Sequence, residues 1–182
     1  MRCISLAIGI LLLSGPVAYG QANSFMAKAE LRNAQGETIG FATLTESSDG
    51  VTVVAHVHGL KPGAHAFHIH AVGKCSLPDF KSAGDHFNPF GAEHGLMDPQ
   101  GAHAGDLPNL LIGPGGTGTV VTFAPLVTLA SGKKNSLFHA EGTAFIVHEE
   151  PDDYRTEPSG DAGGRVACGV ITKLDHAEKQ AR

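Results

Sequence analysis

Ala66-Phe67-His68-Ile69-His70 opens a stretch that runs on through Gly84-Asp85-His86-Phe87-Asn88-Pro89 and Glu93-His94-Gly95 and closes at His103-Ala104-Gly105-Asp106. Side chains two apart on a β-strand share a face, so His68 and His70 reach one side of an extended segment while Phe67 and Ile69 reach the core on the other. Five histidines and a late aspartate in this stretch are metal-ligand chemistry. Imidazole suits copper and zinc, and a lone carboxylate beside two or three histidines is a common zinc set. The six side chains exceed one tetrahedral site, which leaves two ions, or one ion with several uncommitted histidines.

The segments on either side read as strands. Phe25, Ala27, Ala29 and Leu31 alternate with Lys28, Glu30 and Arg32, the pattern of a half-buried strand. The turn clusters Asn33-Ala34-Gln35-Gly36 and Ser48-Asp49-Gly50 bracket a second alternating run, Thr38 to Thr45. A third runs from Val51 to Leu60, and after Lys61-Pro62-Gly63 comes the strand that carries His68 and His70. Later strands are expected over Val120 to Phe123, Ala140 to His148 and Arg165 to Leu174. With no helical periodicity between closely spaced strands, the fold class is all-β. Two long loops interrupt it: residues 71–116, rich in Gly, Pro, Asp and Asn and without strand signals, and the acidic, glycine-rich 149–164. A loop as long as the first is rare unless it is functional, and here the histidines supply the function. The tail after Leu174 is polar.

The two ends and the composition narrow the setting. Residues 1–22 carry Arg2, the apolar block Ile4 to Leu13 and small residues around Ala18-Tyr19-Gly20, which reads as a secretory signal peptide too short to span a bilayer. Its removal leaves residues 23–182 as one domain with no internal linker or repeat. The formal charge is −5, and losing Arg2 takes it to about −6, a poor match for nucleic acid. Cys3 leaves with the leader, and the remaining pair, Cys75 and Cys168, is an even count in an exported chain, for which a disulfide is the default; two thiols serving as metal ligands is the rival.

Five segments carry a family likeness that spacing alone does not supply: Phe67-His68-Ile69-His70 with Gly73, Ser82 to Pro89, His103-Ala104-Gly105-Asp106-Leu107, Val147-His148-Glu149, and Gly160 to Ile171. In this order they resemble the copper,zinc superoxide dismutases over nearly the whole mature chain. Cys75 just after Gly73-Lys74, with Pro151-Asp152-Asp153-Tyr154, resembles the exported bacterial branch. The resemblance implies a Greek-key β-sandwich or barrel of about eight antiparallel strands. It implies one copper held by His68, His70, His86 and His148, and one zinc held by His86, His94, His103 and Asp106, with His86 shared and catalytic. Asp152 stands where the family has an aspartate bonded to a histidine on each side, here His68 and His94. Arg165 stands where the family places an arginine beside the copper. The implied reaction is disproportionation of superoxide to dioxygen and hydrogen peroxide, in the periplasm, without a membrane anchor, as a monomer or a homodimer.

Two residues depart from the family pattern: Lys74, where an acidic or small residue is common, and Ala66, where glycine is common. Neither is a ligand. Of the eleven histidines, His56, His58, His65, His139 and His176 are left over. His56 and His58 have ligand-like spacing but no third partner, and His65 is expected to point with Phe67 and Ile69, away from copper. A copper-delivery protein on the same scaffold and a zinc hydrolase are the competing classes. Arg165 and the full zinc set argue against the first, and a closed zinc tetrahedron argues against the second.

Overall fold

The structure, a computed structural model, describes residues 26–174. The expected signal peptide, the start of the first strand at Phe25 and the polar tail with His176 lie outside the described residues. Ten strands follow in chain order: β1 Met26–Asn33, β2 Thr38–Ser47, β3 Gly50–Val57, β4 Gly63–His65, β5 Phe67–His70, β6 Leu110–Ile112, β7 Gly118–Ala124, β8 Ala144–His148, β9 Arg165–Val170 and β10 Thr172–Lys173. The sheet runs β4-β6-β7-β3-β2-β1-β9-β8-β5, with β10 added to β1, and the pairings between strands are antiparallel. The two ends of that path, β4 and β5, are separated in the chain by Ala66 alone. The sheet therefore curls back on itself, a nearly closed barrel of the all-β class expected.

Alternation did its work where strands are half-buried. Ala27, Ala29 and Leu31 of β1, Leu44 of β2 and Val51, Val53 and Ala55 of β3 are buried, while Glu30, Arg32 and His56 face outward. Phe67 and Phe145 stack in the interior at 4.8 Å between ring centroids. All four residues of β5 and all five of β8 are buried, because loops cover their outer sides. One short strand escapes a sequence reading: β6 interrupts the loop 71–116 expected to hold no strand, while β4 and β10, just as brief, are split off from stretches expected as single strands. Strands of two or three residues are too short for a period of two to register. The strand expected from Ala140 begins only at Ala144, since Gly142 N–H donates to His139 O at 2.9 Å in a turn.

The free edge of β5 is covered by the long loop. Ile69 N–H donates to Gly105 O and Phe87 N–H to Ile69 O, each at 2.8 Å, and Gly105 N–H donates to Phe87 O at 2.9 Å. Isolated bridges pair His68 with Asp106 and His70 with His86. An unpaired strand edge is satisfied in this way, and two remote pieces of loop gain a fixed register against the histidine strand. Glycine is required at 105, since a Cβ there would collide with the Ile69 carbonyl oxygen.

The start of the same loop is tied down covalently. Cys75 and Cys168 form a disulfide with 5.7 Å between Cα atoms, which removes both thiols from the list of metal ligands. Under the loop Phe80, Ala83, Ala144, Ile146 and Cys168 make a small second core. Because the bond joins residues 93 apart, the chain-entropy account gives it about 4–5 kcal/mol of stabilisation. Reduction is expected to lower the melting temperature by roughly 10 °C or more; equal melting curves with and without reductant would contradict this.

Candidate metal centre

His68 and His70 sit on β5, His148 ends β8, and His86 stands on the loop segment paired to β5. All four are buried, and one ring nitrogen of each lies within 4.8 Å of the others. The opposite nitrogens have partners. His68 Nε2 donates to Asp152 Oδ2 at 2.8 Å, His70 Nδ1 to Gly84 O at 2.8 Å, His148 Nδ1 to Gly163 O at 3.4 Å and His86 Nδ1 to Asp106 Oδ1 at 2.9 Å. A donor bond on one nitrogen leaves a lone pair on the other. The remaining atoms, His68 Nδ1, His70 Nε2, His86 Nε2 and His148 Nε2, are all buried without a hydrogen-bond partner. Four converging, unpartnered lone pairs fit a soft divalent or monovalent metal ion such as copper.

The second group shares His86 and adds His94, His103 and Asp106, again within 4.8 Å and all buried. Three nitrogens surround the one carboxylate: His86 Nδ1 and His103 Nδ1 lie 2.9 and 3.3 Å from Asp106 Oδ1, and His94 Nδ1 lies 3.1 Å from Asp106 Oδ2. Asp106 Oδ2 also accepts the main-chain N–H groups of Gly95 at 2.9 Å and His103 at 3.0 Å, which fixes the carboxylate. Three imidazoles and a carboxylate form a tetrahedral zinc set. The two groups meet at the His86 ring, whose Nδ1 belongs to one side and whose Nε2 faces the other.

Asp152 links the groups from behind. Its Oδ2 accepts from His68 and its Oδ1 from His94 Nε2 at 3.1 Å. Gly160 makes room for it: φ is 67° there, and a Cβ would run into the carboxylate. Arg165 begins β9 opposite His148. Its Nη1 donates to Phe80 O at 2.9 Å and its Nη2 to Gly84 O at 2.7 Å, so the guanidinium is clamped to the loop that the disulfide anchors. A cavity of about 380 Å³ leads to this point, lined by Arg165, His70, His86 and His148 among others.

Burial sets the protonation of His70, His86 and His148. It pulls His86 down to about 4, with the neighbouring His68 adding to the effect and the Asp106 contact opposing it. Burial likewise takes His148 down to about 3 and His70 further still, so these rings are neutral and ready to ligate at neutral pH. His94 goes the other way. Burial disfavours its charge, but the carboxylates of Asp106 and Asp152 on its two sides raise it to about 10. Both aspartates are held far below the usual carboxylate range, burial being outweighed by their histidine contacts.

Sequence reasoning brings the seven ligand candidates and Asp152 to mind, but it passes over two supports. His65 is buried, and its Nδ1 lies 2.7 Å from His148 O and its Nε2 2.9 Å from Lys61 O, making the ring a strut under the end of β8. Asn109 exchanges two hydrogen bonds with the main chain of Asp152, each 2.9 Å long, and its own N–H donates to Tyr154 Oη at 2.8 Å. The bonds from His65 to His148 and from Asn109 to Asp152 and Tyr154 span distant parts of the chain and leave no local signal. His56 lies 2.8 Å from Thr119 Oγ1 and His139 stacks on Phe87. Neither joins a group of three or more ligands among the described residues.

The fold and site together define a β-barrel protein built to hold two metal ions side by side across one histidine. The family profile described as copper/zinc superoxide dismutase (SODC) matches residues 38–171, and the chain belongs to that family. It is 48% identical over 167 residues to a Cu-Zn superoxide dismutase of Aquifex aeolicus, covering 91% of this chain and 95% of that one. It is 43% identical to the Cu-Zn superoxide dismutase of Caulobacter vibrioides, over 80% of this chain and 84% of that one. A crystal structure of a superoxide dismutase-like protein from Bacillus subtilis superposes with a TM-score of 0.76 at 44% identity, covering 79% of this chain and 96% of that chain.

Metal uptake at the second group has a proton cost. Zinc binds neutral imidazole, while the two aspartates hold a proton on His94 up to about pH 10. Zinc binding to apoprotein at neutral pH is therefore expected to release a proton and to tighten as pH rises from about 6 to about 9. Calorimetry in buffers of different ionisation enthalpy checks this; a pH-independent affinity with no proton release would contradict it.

Proposed function

We propose that the enzyme, a copper- and zinc-dependent superoxide dismutase, holds copper at His68, His70, His86 and His148 and zinc at His86, His94, His103 and Asp106. The observation that carries this reading is the His86 ring, the one side chain common to both ligand groups. Copper, when bound, supplies the one-electron change that the reaction needs, while zinc supplies a fixed positive charge. Two superoxide anions and two protons give dioxygen and hydrogen peroxide. His86 holds and returns a proton at Nε2, the atom that faces the first group, while its Nδ1 stays fixed on the Asp106 side. Asp152 keeps His68 and His94 in their tautomers and orientations. Arg165 presents a permanent positive charge in the cavity wall and draws the anion toward His148 and His70.

The setting is read from the disulfide and from the N-terminal residues. A structural disulfide persists in an oxidising compartment, and together with the leader-like residues 1–22 this supports export to the periplasm and a mature domain of residues 23–182. The substrate is superoxide, and the role is antioxidant defence outside the cytoplasm.

Metal analysis with a superoxide assay tests the assignment. His148→Ala is expected to lose copper and activity while keeping about one zinc per chain; an active variant with full copper would overturn the copper set. Arg165→Ala is expected to keep both metals, turn over more slowly at low salt and lose much of its ionic-strength dependence. An unchanged rate at low salt would contradict steering by Arg165.

A further inference from the structure

Among its lining residues the cavity that opens onto His70, His86 and His148 holds one permanent cation, Arg165, and two acidic side chains, Asp85 and Glu157. The main chain of Asp85 and the carboxylate of Glu157 are anchored. Asp85 O accepts the Ala71 N–H at 2.9 Å, and the residue precedes His86, which is bridged to His70. Glu157 accepts the main-chain N–H of His94 on one carboxylate oxygen. Arg165 feels the first of them: burial pulls its guanidinium down, and Asp85, ahead of Asp79, works in the opposite direction. An anion moving along the cavity therefore meets both attraction and repulsion from its wall.

A carboxylate in the wall of an anion channel slows every anion, but not equally. Electrostatic energy is proportional to the charge of the ion, so a wall charge that changes monoanion capture by some factor changes dianion capture by about the square of that factor. We propose that Asp85 is a specificity-determining residue of this channel, whose carboxylate excludes doubly charged oxyanions of the sulfate and phosphate class far more strongly than singly charged superoxide. Glu157 adds to the same field. The inference rests on the reading of this cavity as the route of the anion to the copper ligands.

The test uses the copper- and zinc-loaded protein. Azide, a monoanion, is titrated by its effect on copper absorption, and sulfate, a dianion, is measured by competition against azide at constant ionic strength. Asp85→Asn keeps the shape and removes the charge. At low salt it is expected to bind azide about threefold more tightly and sulfate about tenfold more tightly, both gains shrinking as salt is added. Asp85→Glu, which keeps the charge, is expected to retain the wild-type ratio. Equal gains for the two anions overturn the proposal, as does a glutamate variant that behaves like the asparagine one. Sulfate that competes in no variant also overturns it, since exclusion is then steric. If Asp85→Asn changes nothing while Arg165→Ala weakens azide, Asp85 alone is refuted. If Arg165→Ala leaves azide unchanged as well, the reading of the cavity as the anion route has failed instead.

Discussion

The constraint on which the rest depends is the docking of the long loop onto the free edge of β5. Three main-chain bonds among Ile69, Phe87 and Gly105 set the register, and with it His86 and Asp106 come to stand beside His68 and His70. A shift of one residue would turn each of these side chains to the opposite face, because strand side chains alternate. The barrel supplies the other half of the geometry. Its path ends on β8 and β5, so His148 arrives next to the same strand from a distant part of the chain. The candidate ligands His68, His70, His86, Asp106 and His148 are thus held by sheet pairing, and this part of the loop pairs as an added strand.

Two further ties hold the loop against the barrel at points the ligands do not reach. The disulfide fixes its beginning to β9, and the Arg165 guanidinium, bonded to Phe80 O and Gly84 O, fixes the turn that follows. Gly84 O also receives His70 Nδ1, so one carbonyl orients both the Arg165 guanidinium and a histidine of the first group. On the opposite side Asn109 clamps the main chain of Asp152, whose carboxylate joins His68 to His94. The first and second groups are connected through these few contacts.

Much of this was legible in the residues themselves. The His68–His70 spacing fits a strand, the alternation in β1 to β3 fits a half-buried sheet, and five histidines with Asp106 exceed one tetrahedral site, which leaves two ions or one ion with uncommitted histidines. The division of those ligands between two metals came from the family likeness rather than from spacing. What stayed hidden depends on tertiary contact. β6 is three residues long and gives no periodic pattern, although it is what brings Asn109 to Asp152. His65 reads as one more core residue because nothing near it in the chain reveals that one of its partners is the carbonyl of His148. The acidic side of the channel was equally invisible, since Asp85 and Glu157 are far apart in sequence and meet only around the cavity.

The shared ring at position 86 is the center of the account, and anomalous diffraction from crystals of the metal-loaded protein, collected at the copper and zinc absorption edges, tests it most directly. Two separate peaks are expected, copper near His86 Nε2 and zinc near His86 Nδ1, with the imidazole between them. A single peak, or two peaks of which neither touches the His86 ring, would contradict it.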